Sequence, residues 1–279
     1  MNPMHHLTLS NATPIPQLGF GVWQVPDDQA YTAVTAALHA GYRHIDTARI
    51  YDNEAGVGRA VRDSGIPREE VFLTTKLWND DQGYDSTLKA FDASLERLGT
   101  DYVDLYLIHW PTPEQNRYVE SYKALEKIHA EGHAKAIGVS NFTRRTLTRL
   151  LDETGITPVL NQIELHPYFS QQDMRALGAE HGIVTEAWSP LGQGGALLNE
   201  PALARISEQY GKTPAQVVLR WHLQLGNVVI PKSVTPSRIR QNIDVFDFEL
   251  TAEDLAALAE LDRPDGRIGP DPDTFNLLG

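Results

Sequence analysis

The alternation of short apolar runs with amphipathic stretches restricts the fold of this 279-residue chain more than any other feature. Eight short apolar runs, each typical of a buried strand, are spread along the sequence. They cover residues 18–21, 43–46, 71–76, 103–109, 134–139, 159–163, 184–187 and 228–230. Helical periodicity follows them over residues 28–40, 55–64, 85–98, 114–131, 143–154, 171–181, 213–225 and 236–243. Strands that alternate with helices pair in parallel, because each return crossing needs a helix.

The count of eight strand–helix units favours an α/β fold of the closed (β/α)8 type, a TIM barrel. A doubly wound sheet is the alternative, but residues 18–23 lack the full glycine fingerprint that usually follows its first strand. Residues 6–9 and 13–16 predict an N-terminal β-hairpin that plugs the bottom of the barrel. Two extra helices are predicted over 202–210 and 252–261. Because no interior linker is visible, we expect one domain over residues 1–279.

Charge and composition exclude several classes of function. Lys plus Arg is 24 and Asp plus Glu is 37, which gives a net charge of −13 and argues against nucleic-acid and anionic membrane surfaces. The absence of cysteine excludes disulfides and thiolate chemistry. No signal peptide and no run of about 20 apolar residues is visible. We therefore expect a cytoplasmic protein. The oligomeric state is open, with a monomer as the default. No metal is expected, since the tightest ligand pairs are only Glu164 with His166 and His5 with His6.

Four ionisable residues stand at or just beyond the C-terminal ends of predicted strands: Asp46, Tyr51, Lys76 and His109. In a barrel, these strand ends form the active site. A tyrosine has an ordinary pKa of roughly 10, and a neighbouring ammonium would lower it. Tyr51 could then protonate a carbonyl oxygen, with Asp46 holding Lys76 and His109 orienting the carbonyl. On spacing alone, four unrelated polar residues at strand ends remain an open alternative.

Six motifs, in order along the chain, resemble those of the aldo-keto reductase family. They are residues 41–58 (GYRHIDTARIYDNEAGVG), 74–78 (TTKLW), 101–111 (DYVDLYLIHWP), 138–142 (GVSNF), 161–167 (NQIELHP) and 230–233 (IPKS), the last with Arg238 and Asn242 downstream. The resemblance spans roughly residues 7–265. Residues 188–194, 211–216 and 244–248 are most similar to the bacterial 2,5-diketo-D-gluconate reductase-like branch.

The resemblance implies an NADP(H)-dependent oxidoreductase that transfers hydride to a small aldehyde or ketone, such as a keto sugar acid, a diketone or a 2-oxoaldehyde. It makes Tyr51 the proton donor, supported by Lys76, Asp46 and His109. Lys232, Ser233 and Arg238 would bind the 2′-phosphate, which favours NADP(H) over NAD(H). The implied cofactor site consists of Gly21, Val22, Trp23, Ser140, Asn141, Gln162, Trp188, Ser189, Leu191, Gln193, Lys232, Ser233, Val234, Arg238, Gln241 and Asn242. The implied substrate pocket is formed by Trp23, Trp78, His109 and Trp110, with Phe20 beside them.

Two departures from the family pattern and two competing functions remain open. Arg49 and Asp52 stand where small or neutral residues are commoner, so Arg49 could attract an acidic substrate or simply pair with Asp52 at the surface. The short tail after Asp262 predicts an open pocket with weak selectivity. The loop at 192–195 is expected to fold over the pyrophosphate. A cofactor-binding sensor or accessory subunit of a channel is one alternative to a reductase, and a barrel enzyme of another class is the second.

Overall fold

Eight parallel strands, paired in chain order, form the sheet of the computed structural model, which describes residues 5–279. The strands are β3 (Phe20–Gly21), β4 (His44–Asp46), β5 (Phe72–Leu77), β6 (Val103–Ile108), β7 (Ala134–Ser140), β8 (Leu160–Glu164), β9 (Val184–Trp188) and β10 (Val228–Val229). Parallel bridges join Leu18 to Val229 and Gly21 to Lys232, so the first strand meets the last. The backbone N–H of Gly19 donates to the carbonyl of Val229 at 2.8 Å. The prediction of a (β/α)8 barrel is confirmed.

Helices surround the sheet close to where the periodicity placed them. They are α1 (Asp27–Ala40), α2 (Glu54–Asp63), α3 (Tyr84–Leu98), α4 (Tyr118–Ala130), α5 (Arg144–Glu153), α6 (Gln172–Glu180), α7 (Pro201–Tyr210), α8 (Pro214–Gln224), α9 (Pro236–Ile243) and α10 (Ala252–Ala259). Helix α8 begins with a capping box between Thr213 and Gln216 and with proline at its first position. The extra helices α7 and α10 confirm the two predicted beside the barrel.

The predicted helix over 114–131 is wrong at its start, because α4 begins only at Tyr118. Thr112 and Asn116 adopt left-handed backbone conformations, with φ of 40° and 55°. These conformations interrupt a right-handed helix, and residues 113–115 form a turn instead. Helical periodicity did not reveal this turn, because its sequence is still polar and helix-compatible.

The N-terminal hairpin closes the bottom of the barrel, as predicted. Strand β1 (His6–Thr8) pairs antiparallel with β2 (Pro14–Pro16). Leu9 and Ile15, which flank the turn, are buried against Leu105 and Leu107 of β6 in one apolar cluster. No helix within residues 5–279 is long and apolar enough to cross a membrane.

Candidate active site

The four polar residues singled out in the sequence converge at the C-terminal mouth of the barrel. Asp46 ends β4, Lys76 lies in β5, His109 follows β6, and Tyr51 lies in a 3-10 turn after β4. The Lys76 Nζ donates to Asp46 Oδ1 at 2.6 Å and to the Thr47 carbonyl at 2.9 Å. It lies 5.1 Å from the centroid of the Tyr51 ring, and the Tyr51 and His109 ring centroids are 5.7 Å apart. The structure therefore brings all four together.

The pKa of Tyr51 is shifted in the direction opposite to the one expected from the sequence. Burial raises the pKa of the Tyr51 phenol, and the Lys76 ammonium opposes this rise. The lysine acts in the predicted direction, but desolvation is the larger effect. The pKa of Tyr51 therefore stays above its ordinary value, and the phenol is protonated throughout the neutral range.

His109 is a neutral imidazole at the same mouth. Burial, helped by the nearby Lys76 ammonium, lowers the pKa of His109 well below its ordinary value. Its Nδ1 is buried and has no hydrogen-bond partner within residues 5–279. The ring stands edge-on to Trp78, with centroids 5.3 Å apart, and lies nearly parallel to Trp110. The two tryptophan rings thus hold His109 in place as an uncharged group that can form a hydrogen bond.

A layer of buried polar side chains lies directly below these residues, and sequence reasoning missed most of it. The Gln162 Nε2 donates to Asp46 Oδ2 and to Glu186 Oε2, both at 2.8 Å. On its other side Glu186 faces His44, with Oε1 and Nε2 3.5 Å apart and both residues fully buried. Burial, reinforced by the Asp46 carboxylate, raises the pKa of Glu186 to about 8. Burial lowers the pKa of His44 to about 4.

The alternation of side chains along the strands could have predicted this layer of buried polar residues. His44 precedes Asp46 by two residues in β4, and Glu186 precedes Trp188 by two residues in β9. Residues two apart on a strand point to the same face, so both side chains had to enter the barrel. Gly19 leaves the space that His44 fills, since a Cβ there would lie 2.6 Å from its Nδ1.

The residues expected to hold the nicotinamide form one connected group. The Trp188 Nε1 donates to Asn141 Oδ1 at 2.8 Å, and the Asn141 Nδ2 donates to the His109 carbonyl and to Ser140 Oγ. Ser140 Oγ donates in turn to the Gln162 carbonyl. Asn141 has a left-handed backbone, with φ of 61°. Its amide hydrogens are used within the protein, so the residue braces Trp188 and His109.

The donors expected to bind the adenosine phosphates lie after β10 and on α9. Lys232 and Arg238 are exposed, and neither forms an ion pair with any residue in 5–279. Ser233 and Asn242 are buried beside them, whereas Val234 and Gln241 are exposed. The N-terminus of α9 adds unpaired backbone N–H groups, which favour an anion. Two free cations at a helix N-terminus fit a phosphate dianion, so the residues present suit NADP(H).

The remaining predicted cofactor residues fall on two loops of the same mouth. Gly21 and Val22 are buried where β3 ends, and Gly21 is bridged to Lys232. Ser189, Leu191 and Gln193 follow β9 in a segment whose Ser189 and Gln193 have φ of 47° and 56°.

Three of the four aromatic residues expected in the substrate pocket are at the mouth. Trp78 and Trp110 contact His109, and Trp23 follows the end of β3 with 45% of its surface exposed. The expectation for Phe20 is wrong, because this ring is buried in the helix–sheet core, edge-on to Tyr42. Alternation explains the difference, since Phe20 points away from the barrel interior.

The C-terminal tail packs across the mouth despite its short length. Phe275 lies on Trp110, with ring centroids 4.3 Å apart. The backbone N–H groups of Ile268 and Gly269 donate to the two oxygens of Glu164, at 2.6 and 2.7 Å. Glu164 also contacts His166 at 2.9 Å. The Glu164–His166 pair therefore anchors the tail, and no group of three potential metal ligands occurs within residues 5–279.

Comparison with known proteins identifies the family. The sequence model described as "Aldo/keto reductase family" matches residues 17–263. An aldo-keto reductase of Mycolicibacterium smegmatis is 59% identical, with 98% of each chain covered. A protein of Escherichia coli named "Methylglyoxal reductase DkgA" is 51% identical, with 96% of this chain and 97% of the relative covered. The crystal structure of a Gox0644 variant in complex with NADPH is 48% identical, has a TM-score of 0.95, and covers 99% of this chain and 100% of its own.

The chain therefore belongs to the aldo/keto reductase family. Members of this family are oxidoreductases that act on carbonyl compounds with NADP(H), so this protein is an NADP-dependent oxidoreductase. The resemblance stated from the sequence is confirmed, including its link to the 2,5-diketo-D-gluconate reductase-like branch. The competing interpretation as a barrel enzyme of another class is wrong.

Proposed function

We propose that the protein reduces small, uncharged aldehydes and 2-oxoaldehydes, with Tyr51 as the general acid and NADPH as the reductant. The buried Lys76–Asp46 pair beneath the Tyr51 ring supports this proposal most strongly. A buried lysine costs free energy unless it is paired, and here its ammonium also faces a phenol. This arrangement stabilises negative charge as it develops on the phenol oxygen.

Tyr51 supplies the proton. When bound, NADPH supplies the hydride that the carbonyl carbon accepts. The Tyr51 hydroxyl then gives its proton to the carbonyl oxygen, and the developing phenolate is stabilised by Lys76. Because burial keeps the pKa of Tyr51 raised, the acid form is present before each turnover. Solvent restores the proton afterwards.

His109 orients and polarises the carbonyl. Its pKa is held so low that the ring is neutral, so it cannot compete with Tyr51 as the acid. A neutral ring can still donate one hydrogen bond toward the carbonyl oxygen. Trp188, held by Asn141, offers a flat apolar face for the nicotinamide, and Trp78 and Trp110 exclude water from the reacting atoms.

The charges at the mouth favour an uncharged substrate. Arg49 is the cation nearest to Tyr51 in sequence, and its Nη1 contacts Asp52 Oδ1 at 2.8 Å. It also lies close enough to Asp81 to lower the pKa of that carboxyl, against a larger rise caused by burial. A guanidinium shared between carboxylates has little attraction left for a substrate acid. The Escherichia coli relative is named for methylglyoxal, which is an uncharged 2-oxoaldehyde.

Consumption of NADPH with methylglyoxal, compared between wild type and Tyr51→Phe, tests the proposal. We expect turnover by the wild type and a loss of about 10²–10⁴-fold in kcat for the variant, because it lacks the acid. Tryptophan fluorescence should show unchanged NADPH binding, since the phenol hydroxyl is not a cofactor ligand here. Equal turnover by both proteins would refute the role of Tyr51.

Replacing NADPH by NADH tests the phosphate donors, and equal KM values would refute the roles of Lys232 and Arg238.

A further inference from the structure

Two carboxylates determine how the Gln162 amide is oriented. Nε2 has two hydrogens, and they go to Asp46 Oδ2 and Glu186 Oε2. A flipped amide would place Oε1 against two acceptors, which is repulsive. Oε1 must therefore point the other way, and it accepts no hydrogen bond from any residue in 5–279. Oε1 is not enclosed by the protein either, so it is accessible from the mouth of the barrel.

The geometry also shows why Glu186 can lie near Asp46. His44 Nδ1 is 3.3 Å from the Pro16 carbonyl, which can only accept, so Nδ1 carries a hydrogen. His44 Nε2 and Glu186 Oε1 then face each other at 3.5 Å, and neither has another partner among the described residues. Two lone pairs at this separation need a proton between them. The pair is therefore neutral overall, and so is the Asp46–Lys76 pair beside it.

We propose that Glu186 is a positioning residue for the nicotinamide: with Asp46 it locks the Gln162 amide so that Oε1 accepts a hydrogen bond from the N–H of the cofactor's carboxamide. The inference rests on the proposed function. Gln162 is well suited to this role because neighbouring polar groups are already engaged. Asn141 donates both amide hydrogens inside the protein, and the Ser140 hydroxyl donates to the Gln162 carbonyl.

Binding of two ligands to four proteins tests this assignment without any turnover. The ligands are NADP⁺ and its 3-acetylpyridine analogue, in which a methyl ketone replaces the carboxamide and removes the N–H donor. The proteins are wild type, Glu186→Gln, Glu186→Ala and Glu186→Leu, with affinity measured by quenching of tryptophan fluorescence. Glutamine is the matched control, because its oxygen can accept from Gln162 while its NH₂ donates to His44. Leucine fills most of the volume that alanine leaves empty.

We expect wild type and Glu186→Gln to prefer NADP⁺ over the analogue by about tenfold, the effect of one hydrogen bond. In Glu186→Ala and Glu186→Leu the amide can turn, so NADP⁺ affinity should fall to the level of the analogue. Equal weakening of both ligands would overturn the proposal, because it would show a general structural defect. Equal binding of both ligands to wild type would overturn it without any variant. A wild type that bound neither ligand would instead refute the proposed function.

Discussion

Two buried carboxylates on strands at opposite ends of the barrel show how differently those ends are built. Near the bottom, Asp104 of β6 receives hydrogen bonds from Arg68 and from the backbone N–H of Leu73, and Lys135 contacts its other oxygen at 3.1 Å. Near the top, Glu186 of β9 accepts a hydrogen bond from the Gln162 amide, and its second oxygen faces the buried His44 ring, with Oε1 and Nε2 3.5 Å apart. The bottom acid is paired with an arginine and a lysine, whereas no lysine or arginine within residues 5–279 forms an ion pair with the top acid.

The interior of the barrel also differs between its two ends. Apolar side chains from the hairpin and the strands fill the bottom of the barrel, among them Leu9, Ile15, Leu105 and Leu107. The top contains Lys76, Asp46, His109 and Gln162, all buried and polar. Unsatisfied polar groups cost stability and are retained where chemistry needs them. We infer that the bottom secures the fold and the top is organised for binding and proton transfer.

Removing a lysine at each end should give the largest contrast. Lys76→Met leaves the Asp46 carboxyl buried without its partner, so we expect a loss of about 3–5 kcal/mol in the free energy of unfolding. The kcat should fall by at least about 100-fold, because Tyr51 loses its neighbouring charge. Lys135→Met is the matched control, since its side chain is 41% exposed and Asp104 keeps Arg68. Its cost should stay within about 1 kcal/mol.

Urea denaturation and steady-state kinetics measure both variants. If Lys135→Met lowered kcat as much as Lys76→Met, the two ends would not differ in function. A Lys76→Met protein with wild-type kcat would show that the ammonium does not assist the phenol.

Glu186→Gln should reveal the proton held at the top through the pH dependence of stability. The folded pKa of Glu186 is raised to about 8, so the folded state keeps a proton that the unfolded chain releases near pH 4.5. Its stabilising effect is complete below that pH and is lost as the pH rises toward 8. Glutamine cannot titrate. As the pH rises across this window, the free energy of unfolding of the variant should therefore increase relative to that of wild type by up to about 1.4 kcal/mol per pH unit. Parallel stability curves from pH 5 to 8 would show that Glu186 is ionised in the folded protein.

Arg49→Ala should have the smallest effect. The Arg49–Asp52 contact is largely exposed, so its loss should change stability by less than about 1 kcal/mol. Because the guanidinium is already shared between carboxylates, we expect KM to be unchanged for methylglyoxal and for a 2-oxo acid alike. Kinetics with both substrates provide the check. A rise in KM confined to the acid would assign Arg49 to substrate binding and contradict our proposal of an uncharged substrate.

Much of the fold and the upper mouth could be predicted from sequence because strand ends are local signals. The eight strands and the convergence of Asp46, Lys76 and His109 follow from where apolar runs stop. The raised pKa of Tyr51 did not follow, since it depends on burial by groups distant in the chain. The contact between Gln162 and Glu186 could not be predicted either, because it comes from the register of β8 against β9.

The prediction failed for residues whose location depends on which face of a strand they occupy, or on a contact with a segment distant in the chain. Phe20 lies beside residues of the mouth in sequence but points into the outer core. The short tail after Asp262 predicted an open pocket, yet Glu164 binds the tail backbone more than 100 residues away and Phe275 packs on Trp110. Neither the periodicity nor the motifs contain this information.

The same substitution at the two ends tests the division of the barrel most directly. Asp46→Asn and Asp104→Asn each replace a buried carboxylate by an amide of equal size. With NADPH and methylglyoxal, we predict that Asp46→Asn lowers kcat by at least about 100-fold. Asp104→Asn should lower only the free energy of unfolding, by about 1–3 kcal/mol, with kcat unchanged. Equal loss of kcat in both variants, or wild-type kcat in Asp46→Asn, would contradict the account.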